Sequence, residues 1–402
     1  MATLPSRGVR FPHVGNGDSS TISVIEDEVC IQVDLRHTQK GEDEDEKPED
    51  VIDVLTDLLP EKDGEPYLSA FLLTHPDEDH CSGFEQFLDE VEIGEIIHTP
   101  QIFEQYEDDE ELSDDAKSFR EECERRRDET IDEDGDPGSG DRVLIVGYSE
   151  TFEKPEYQDF PEEFRKVAGD TITKIDGEEL EEAEFFVHGP LKGEYGDDRN
   201  DSSLSFQLCL ESENGQESLE CLFFGDRSSA TIESIVEETE DHSNQERLDW
   251  NVLLSPHHCS KKALYKKEDD TEQPHDDVID ALRDGEQEVS YVVASCRAVD
   301  EDGNSVFTDG DNDDPPHQKA RNRYYTMLDE EEDFLCTGEH PDTDDPSALI
   351  IRLGDDGIDF DSEGGGDEGG GGGEDSSTPP PAGWGSESSR STSSESIDHG
   401  CR

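Results

Sequence analysis

An apolar run that ends in a cluster of imidazoles and carboxylates constrains this chain more than any other feature. The segment Leu68 to Thr74 has the length of a buried strand, and the residues HPDEDH follow it directly at positions 75–80. Polar groups at the carboxyl end of a buried strand lie where α/β proteins hold metals and ligands. Imidazole nitrogens and carboxylate oxygens suit zinc, manganese or iron. The pattern predicts a metal-binding loop; the alternative is an acidic surface turn with two incidental histidines.

Further polar motifs follow other β patterns, and their order along the chain is informative. They are VGNGDSS at 14–20, a strand pattern ending in Asp34, NDSSL at 200–204, LFFGD at 222–226 and LLSPHHCS at 253–260. With the HPDEDH loop, this ordered set resembles the metallo-β-lactamase fold, and within it the hydrolase domain of ComEC-type competence proteins. The resemblance spans Val9 to Leu353. It implies an α/β protein with the αββα sandwich of that fold.

The resemblance also implies a site that holds two divalent metal ions. Zinc is the expected metal, with manganese or iron as alternatives. The implied ligands are His75, Asp77, Asp79, His80, Asp226 and His257. Asp79 and His258 are the expected catalytic residues, His258 facing the substrate or serving as the alternate ligand. Residues expected to bind substrate or support the ligands are Asp18, Asn200, Asp201, His188 and Lys261.

Three positions bear on how closely the site follows the family. Asp226 can bridge two ions, because the two oxygens of one carboxylate can reach metals ~3.5–4 Å apart. Many metallo-β-lactamase enzymes have a histidine ligand where this chain has Asn200-Asp201, so we expect a weaker or more open first metal site. Cys259 replaces the glycine that is usual in the family.

The charge of the chain is extreme, with 110 Asp and Glu against 32 Lys and Arg and a formal net charge of −78. A hydrophobic content of 29% would by itself indicate disorder, but the apolar residues fall in strand-length runs. Self-repulsion of this size destabilises a compact chain unless salt screens it, and the Debye length at 1 M salt is only ~3 Å. We therefore expect a protein of a salt-accumulating cytoplasm that loosens in dilute buffer.

The cysteines and the hydropathy pattern bear on the compartment. Nine cysteines without a CxxC pair favour a reduced, intracellular protein. No apolar run approaches the ~20 residues of a membrane-spanning helix, so we expect a soluble cytoplasmic hydrolase without a membrane segment.

The rest of the chain divides into one large domain and a tail. Helices are predicted at 51–59 and 227–238, and strands at 95–98, 142–148, 171–186, 251–255, 289–295 and 348–353. The hydrolase domain is predicted to span 1–360, with an acidic insert at about 103–141 that forms one solvated helix near the mouth of the site. Residues 361–402 are rich in Gly, Ser and Pro and predict a flexible tail that could dock on a protein partner.

The expected activity is hydrolysis by a metal-activated water. A phosphodiester, in a small molecule or a nucleic acid, is the leading substrate class that the resemblance implies. An ester, lactone or thioester is the first alternative, because the chain has no basic stripe for phosphate contacts. The second alternative is a degenerate, non-catalytic interaction module with the tail as its connector. The intact HPDEDH loop argues against that alternative, and the missing histidine near Asn200 argues mildly for it.

Overall fold

Two large β-sheets pack face to face at the centre of the computed structural model, which describes residues 2–38, 48–104, 106, 112–133, 135–180, 182–192, 199–268, 271–300, 304–308 and 314–362. In chain order the strands are β1 Gly8–Phe11, β2 Ser20–Ile25, β3 Val29–Val33, β4 Glu61–Lys62, β5 Glu65–Leu72, β6 Glu92–His98, β7 Arg142–Val146, β8 Arg165–Lys166, β9 Thr171–Ile172, β10 Lys174–Ile175, β11 Glu178–Glu179, β12 Ala183–Gly189, β13 Ser205–Glu211, β14 Ser218–Phe223, β15 Trp250–Leu254, β16 Tyr265–Glu268, β17 Thr271–Pro274, β18 Glu286–Ala294, β19 Phe334–Cys336, β20 Leu349–Gly354 and β21 Gly357–Ser362.

The helices are α1 Val51–Leu58, α2 Glu78–Cys81, α3 Phe84–Glu90, α4 Gln101–Glu104, α5 Asp114–Asp132, α6 Ser229–Asp241, α7 Pro256–Cys259, α8 Asp276–Asp284 and α9 Gln318–Tyr324. The first sheet has the order β21-β20-β1-β2-β3-β5-β6-β7-β8, with β4 paired to β5. The second has the order β19-β18-β15-β14-β13-β12-β9. Two small hairpins, β10–β11 and β16–β17, lie outside these sheets.

Three hydrophobic clusters define four layers. One lies between the sheets and includes Leu72 and Phe223. A second joins the first sheet to its helices and includes Phe71, and a third does the same for the second sheet and includes Leu222. Successive residues of one strand therefore enter different clusters, because side chains alternate across a strand. Burial of both sheet faces explains why these strands read as continuous apolar runs, and it confirms the predicted αββα sandwich.

Helix α5 corrects one detail of the sequence analysis. A helix was expected within the acidic insert, and it is present, but it is not a solvated element. Phe119 is fully buried, with its ring centroid 5.0 Å from that of Phe84. The guanidinium of Arg126 is buried and donates to the carbonyls of Ile93 and Gly94. The apolar stripe was hidden because one buried face of a helix needs few apolar residues among many charged ones.

Several helices and strands were not predicted from the sequence. The hairpin β16–β17 and the helices α8 and α9 were not predicted, and β21 runs two residues past the predicted domain boundary at 360. Polar and charged residues outnumber the apolar ones in the hairpin and in both helices and obscure their periodicity. The predicted tail lies, from residue 363 onward, outside the described residues. No helix within the described ranges combines the length and the apolar character needed to cross a membrane.

A buried carboxylate in the first sheet yields a testable pH dependence. Glu95 is 3% exposed, and the amide of Asp176 donates to its Oε2 over 2.7 Å. Burial raises the pKa of Glu95 from 4.5 to about 7, against the effect of that hydrogen bond. The folded state therefore binds this proton more tightly than the unfolded chain, and the free energy of unfolding falls as the pH rises from about 4.5 through about 7.

Glu95→Gln keeps an acceptor for the Asp176 amide and removes the titration. We expect the variant to match the wild type near pH 4.5 and to exceed its free energy of unfolding by about 3 kcal/mol at pH 8. Denaturant unfolding at both pH values, in the same multimolar KCl, measures this difference. Glu92→Gln, at an exposed position of the same strand, is the control. A wild type and a Glu95 variant with the same pH profile would contradict the prediction.

Candidate metal centre

Loops at the carboxyl ends of four strands meet at one edge of the sandwich. His75 and His80 follow β5, Asp226 follows β14, and His257 and His258 follow β15. Strands β3 and β5 are parallel, as are β14 and β15, so each pair sends its loops to the same edge of its sheet. The loop between β1 and β2 joins them, where the amide of Asp18 donates to the carbonyl of Asp79 over 3.0 Å.

The carboxylate of Asp226 lies among four imidazoles. Its Oδ1 is 3.2 Å from the Nε2 of His80. Its Oδ2 is 3.6 Å from the Nε2 of His258 and 3.7 Å from those of His75 and His257. One carboxylate oxygen has two lone pairs, so Oδ2 cannot accept a well-aligned hydrogen bond from each of the three rings that face it. Convergence of four ring nitrogens on one carboxylate is the arrangement expected of ligands that share metal ions.

Buried polar atoms without partners mark the same place. Within the described residues, the Nε2 of His75, the Oδ1 of Asp18, the Oδ1 of Asp226 and the Nδ1 of His258 are buried and make no hydrogen bond. Asp226 Oδ1 and His80 Nε2 are therefore close but are not aligned as acceptor and donor. Because unpaired buried groups are costly, so many in one spot indicate side chains placed to bind a cation. One ligand atom each from Asp18, His80, Asp226 and His258 lies within 4.8 Å of the others, which fits a divalent cation.

Asp34 orients His80, and the expected site residues did not include it. Its Oδ1 accepts from the amide of Thr74 over 2.7 Å, and its Oδ2 accepts from the Thr74 hydroxyl over 2.7 Å. The same Oδ2 lies 2.8 Å from the Nδ1 of His80. A proton held on Nδ1 leaves the Nε2 lone pair of His80 directed at the centre, as in carboxylate–histidine–metal triads. The position of this aspartate at the end of β3 was the signal that could have identified it.

The charges of the centre compensate one another when no metal is bound. Burial alone would lower the pKa of His80, but Asp226 and Asp34 hold it well above 6.5. Burial also opposes protonation of His258, yet Asp226, Asp18 and Asp79 raise its pKa to about 10. Burial would raise the pKa of Asp226, and the neighbouring histidines hold it well below its usual range. The protonated imidazoles thus balance the negative charge of the carboxylates, as a divalent cation would. Protons and metal cations therefore compete for the same ring nitrogens.

The backbone holds these loops in unusual conformations. His257, His258 and Cys259 all have positive φ, at 53°, 52° and 64°. Three consecutive non-glycine residues in this region cost about 1–3 kcal/mol each, and such strain is concentrated at functional sites. Gly17 allows close approach of the loops, because a Cβ there would lie 2.5 Å from the carbonyl oxygen of Asp79.

The two adjacent histidines lie at different depths. His258, expected to face the substrate or to serve as the alternate ligand, is 1% exposed and lies in the buried cluster. His257, the preferred ligand in the sequence analysis, has a side chain 14% exposed at the edge of the centre. Asp18, expected to bind substrate or support the ligands, lies in the buried cluster with His258.

The two aspartates of the HPDEDH loop, Asp77 and Asp79, lie at the rim of the centre. The carboxylate of Asp77 accepts from the hydroxyl of Tyr106 and pairs with Arg199, each over 2.9 Å, and is not among the clustered ligand atoms of the described residues. Asp79 has a side chain 36% exposed, and its Oδ2 is 3.4 Å from the Nε2 of His258. Asp79 is therefore the carboxylate of the centre that reaches solvent.

The other predicted site residues have structural partners. Asp201 accepts from the amide of Ser228, the residue before α6, and from the hydroxyl of Thr231. The backbone carbonyl of Asn200 accepts from Ser203. His188 is buried against the carbonyl of Arg247, and burial lowers its pKa to about 4. Lys261 is buried and lies 3.8 Å from Glu272 of the β16–β17 hairpin.

No family model matches this chain, and no curated protein matches it. The metallo-β-lactamase fold protein YhfI from Bacillus subtilis is 9% identical, with 81% of this chain and 94% of that one covered and a TM-score of 0.38. A diphosphatase of the PhnP family is 10% identical, with 80% and 81% covered and a TM-score of 0.32. The metallo-β-lactamase MIM-1 from Novosphingobium pentaromativorans is 12% identical, with 63% and 76% covered and a TM-score of 0.27.

Proposed function

We propose that this protein is a metal-dependent hydrolase that acts on a phosphodiester. The observation that carries the proposal is the convergence of four imidazole Nε2 atoms on the carboxylate of Asp226, at 3.2–3.7 Å. Asp18, His80, Asp226 and His258 would hold divalent metal, with His75 and His257 beside them. Divalent ions in such a centre supply Lewis acidity and an activated water. Zinc suits this mixed nitrogen and oxygen donor set, as do manganese and iron.

The rim residues have separate parts in the proposal. Asp79 is ionised, because the hydrogen bond and charge of His258, with the charge of His80, outweigh burial and lower its pKa. Its carboxylate reaches solvent and is ionised, so it can orient the attacking water by accepting a hydrogen bond from it. Arg199, half exposed beside Asp77, places a guanidinium next to the same loop. A guanidinium there suits an anionic substrate better than a neutral one.

Turnover of an aryl phosphodiester and of an aryl carboxylic ester, in multimolar KCl with zinc or manganese added, tests the proposal. We expect the phosphodiester to be the better substrate and Asp79→Asn to lower its kcat about 100-fold or more. Asp89→Asn, an exposed position on α3, is the matched control and should stay within twofold.

Three outcomes would contradict the proposal in different ways. Faster turnover of the carboxylic ester would favour the ester, lactone or thioester alternative. Equal rates for wild type and Asp79→Asn would remove Asp79 from the mechanism. A folded, metal-loaded protein without turnover of either substrate would favour a non-catalytic binding module.

A further inference from the structure

A second group of metal-ligating side chains lies on the helical layer that covers the second sheet. Glu233 belongs to α6, His275 directly precedes α8, and Asp277 lies in the first turn of α8. One ligand atom from each of the three lies within 4.8 Å of the other two. None of these residues belongs to the centre around Asp226.

The imidazole of His275 distinguishes this group from an ordinary cluster of surface acids. His275 is 2% exposed, and within the described part of the chain neither of its ring nitrogens makes a hydrogen bond. A buried polar group without a partner destabilises the fold, so such groups are rare in native proteins. The backbone fixes the ring in place, because the amide of His275 donates to Leu264 and its carbonyl accepts from Ile279.

The geometry between His275 and Glu233 points to a shared ion. The Nε2 of His275 lies 3.1 Å from the Oε1 of Glu233, yet the two are not aligned as donor and acceptor. In an ordinary ion pair the ring N–H would point at the oxygen. Two ligands of one zinc ion, each about 2.0–2.2 Å from it, lie roughly 3 Å apart and point at a third position instead. The observed misalignment matches the second arrangement, and a separation of 3.1 Å is compatible with it.

We propose that Glu233, His275 and Asp277 bind one divalent transition-metal ion that joins α6 to α8. One imidazole and two carboxylates suit zinc or manganese. Asp277 is exposed and Glu233 is partly exposed, so the ion can enter from solvent and keep water ligands. Both helices pack on the same hydrophobic cluster, through Ile232 of α6 and Val278 of α8. The ion therefore stabilises the outer layer over the sheet that carries Asp226.

Zinc stoichiometry of the full chain tests this site. The protein is stripped with a chelator in multimolar KCl, reloaded with zinc alone and dialysed, and the bound ions are counted. We expect His275→Gln to bind one zinc fewer per chain than the wild type and to lose part of the rise in Tm that zinc produces. Hydrolysis with zinc present should stay within about twofold, because the ligands around Asp226 are unchanged.

A pair of neighbouring acids supplies the matched control. Asp277→Asn should weaken zinc binding at this site at least tenfold, whereas Asp276→Asn, which removes the same charge one residue earlier in α8, should not. If His275→Gln destabilises the fold, the exposed Asp277 still permits the comparison. Equal zinc counts and affinities in wild type, His275→Gln and Asp277→Asn would overturn the proposal, as would equal weakening by both aspartate variants. A wild type without hydrolytic activity would contradict the proposed function and leave this result unaffected.

Discussion

Replacing Asp226 by asparagine is expected to remove metal binding and hydrolysis together. Asn keeps the shape of the side chain and one acceptor oxygen but removes the charge that four imidazole Nε2 atoms surround. A neutral amide would offer divalent cations one uncharged oxygen in place of an anionic carboxylate. We expect kcat/KM on an aryl phosphodiester to fall about 1,000-fold or more, equivalent to about 4 kcal/mol. Metal analysis of the same preparation should show at least one ion fewer per chain.

The control for Asp226→Asn is Asp241→Asn, which changes the same charge at the exposed end of α6. The control should keep both its activity and its metal content. Circular dichroism in multimolar KCl should show that the Asp226 variant still folds. Without the carboxylate, the neighbouring imidazoles can lose their protons, so no unpaired positive charge remains buried. Full metal content with activity within tenfold of the wild type would show that Asp226 is not a ligand.

Replacing Asp34 by asparagine should damage the centre from outside its ligand cluster. Asp34 holds the Nδ1 of His80 over 2.8 Å and both donors of Thr74. An amide NH₂ facing His80 would place the ring proton on Nε2, the atom that faces the centre. We expect metal affinity to fall about 10–100-fold, the usual effect of losing such a partner. The free energy of unfolding should fall by about 1–3 kcal/mol, because a buried hydrogen-bond network loses an acceptor.

The backbone makes Asp34→Asn a selective test. Asp34 has φ of 55°, a left-handed conformation that asparagine tolerates well. Asp27→Asn is the matched control, because Asp27 has φ of 56° and is exposed in the β2–β3 turn. Metal affinity, from competition with a chelating dye, should change only in the Asp34 variant. A wild-type affinity in Asp34→Asn would show that the hydrogen bond to His80 does not control the ligand.

The strands and the loops that follow them could be predicted from local sequence. The runs that end before His75, Asp226 and His257 are apolar on both faces, so their strands stand out even in a chain with a net charge of −78. The helix predicted at 227–238 is present as α6. Elements with a single apolar face were harder to predict, because polar and charged residues outnumber the apolar ones in α8 and α9. For the same reason the buried stripe of α5 was mistaken for a solvated surface.

The packing of one sheet on the other decided which ligand atoms converge in the metal centre. The sequence identified Asp18, His80, Asp226 and His258 as polar residues in loops, but they come from four separate segments of the chain. Their mutual distances depend on strand register and on the separation of the sheets, which no local pattern records. Asp34, expected only to end a strand, orients His80, and Asp201, expected near the ligands, accepts from the residues that begin α6.

The sequence by itself determined the residue types available for chemistry and the strands that carry them, because burial forces an apolar pattern on each strand. The tertiary structure alone decided which of those residues share a site. The tertiary structure buries the imidazole of His258 and leaves that of His257 nearer the surface. The left-handed backbone at both positions sets the direction of each side chain. The tertiary structure also brought His275, at the start of α8, beside Glu233 of α6, although 41 residues separate the two in the chain.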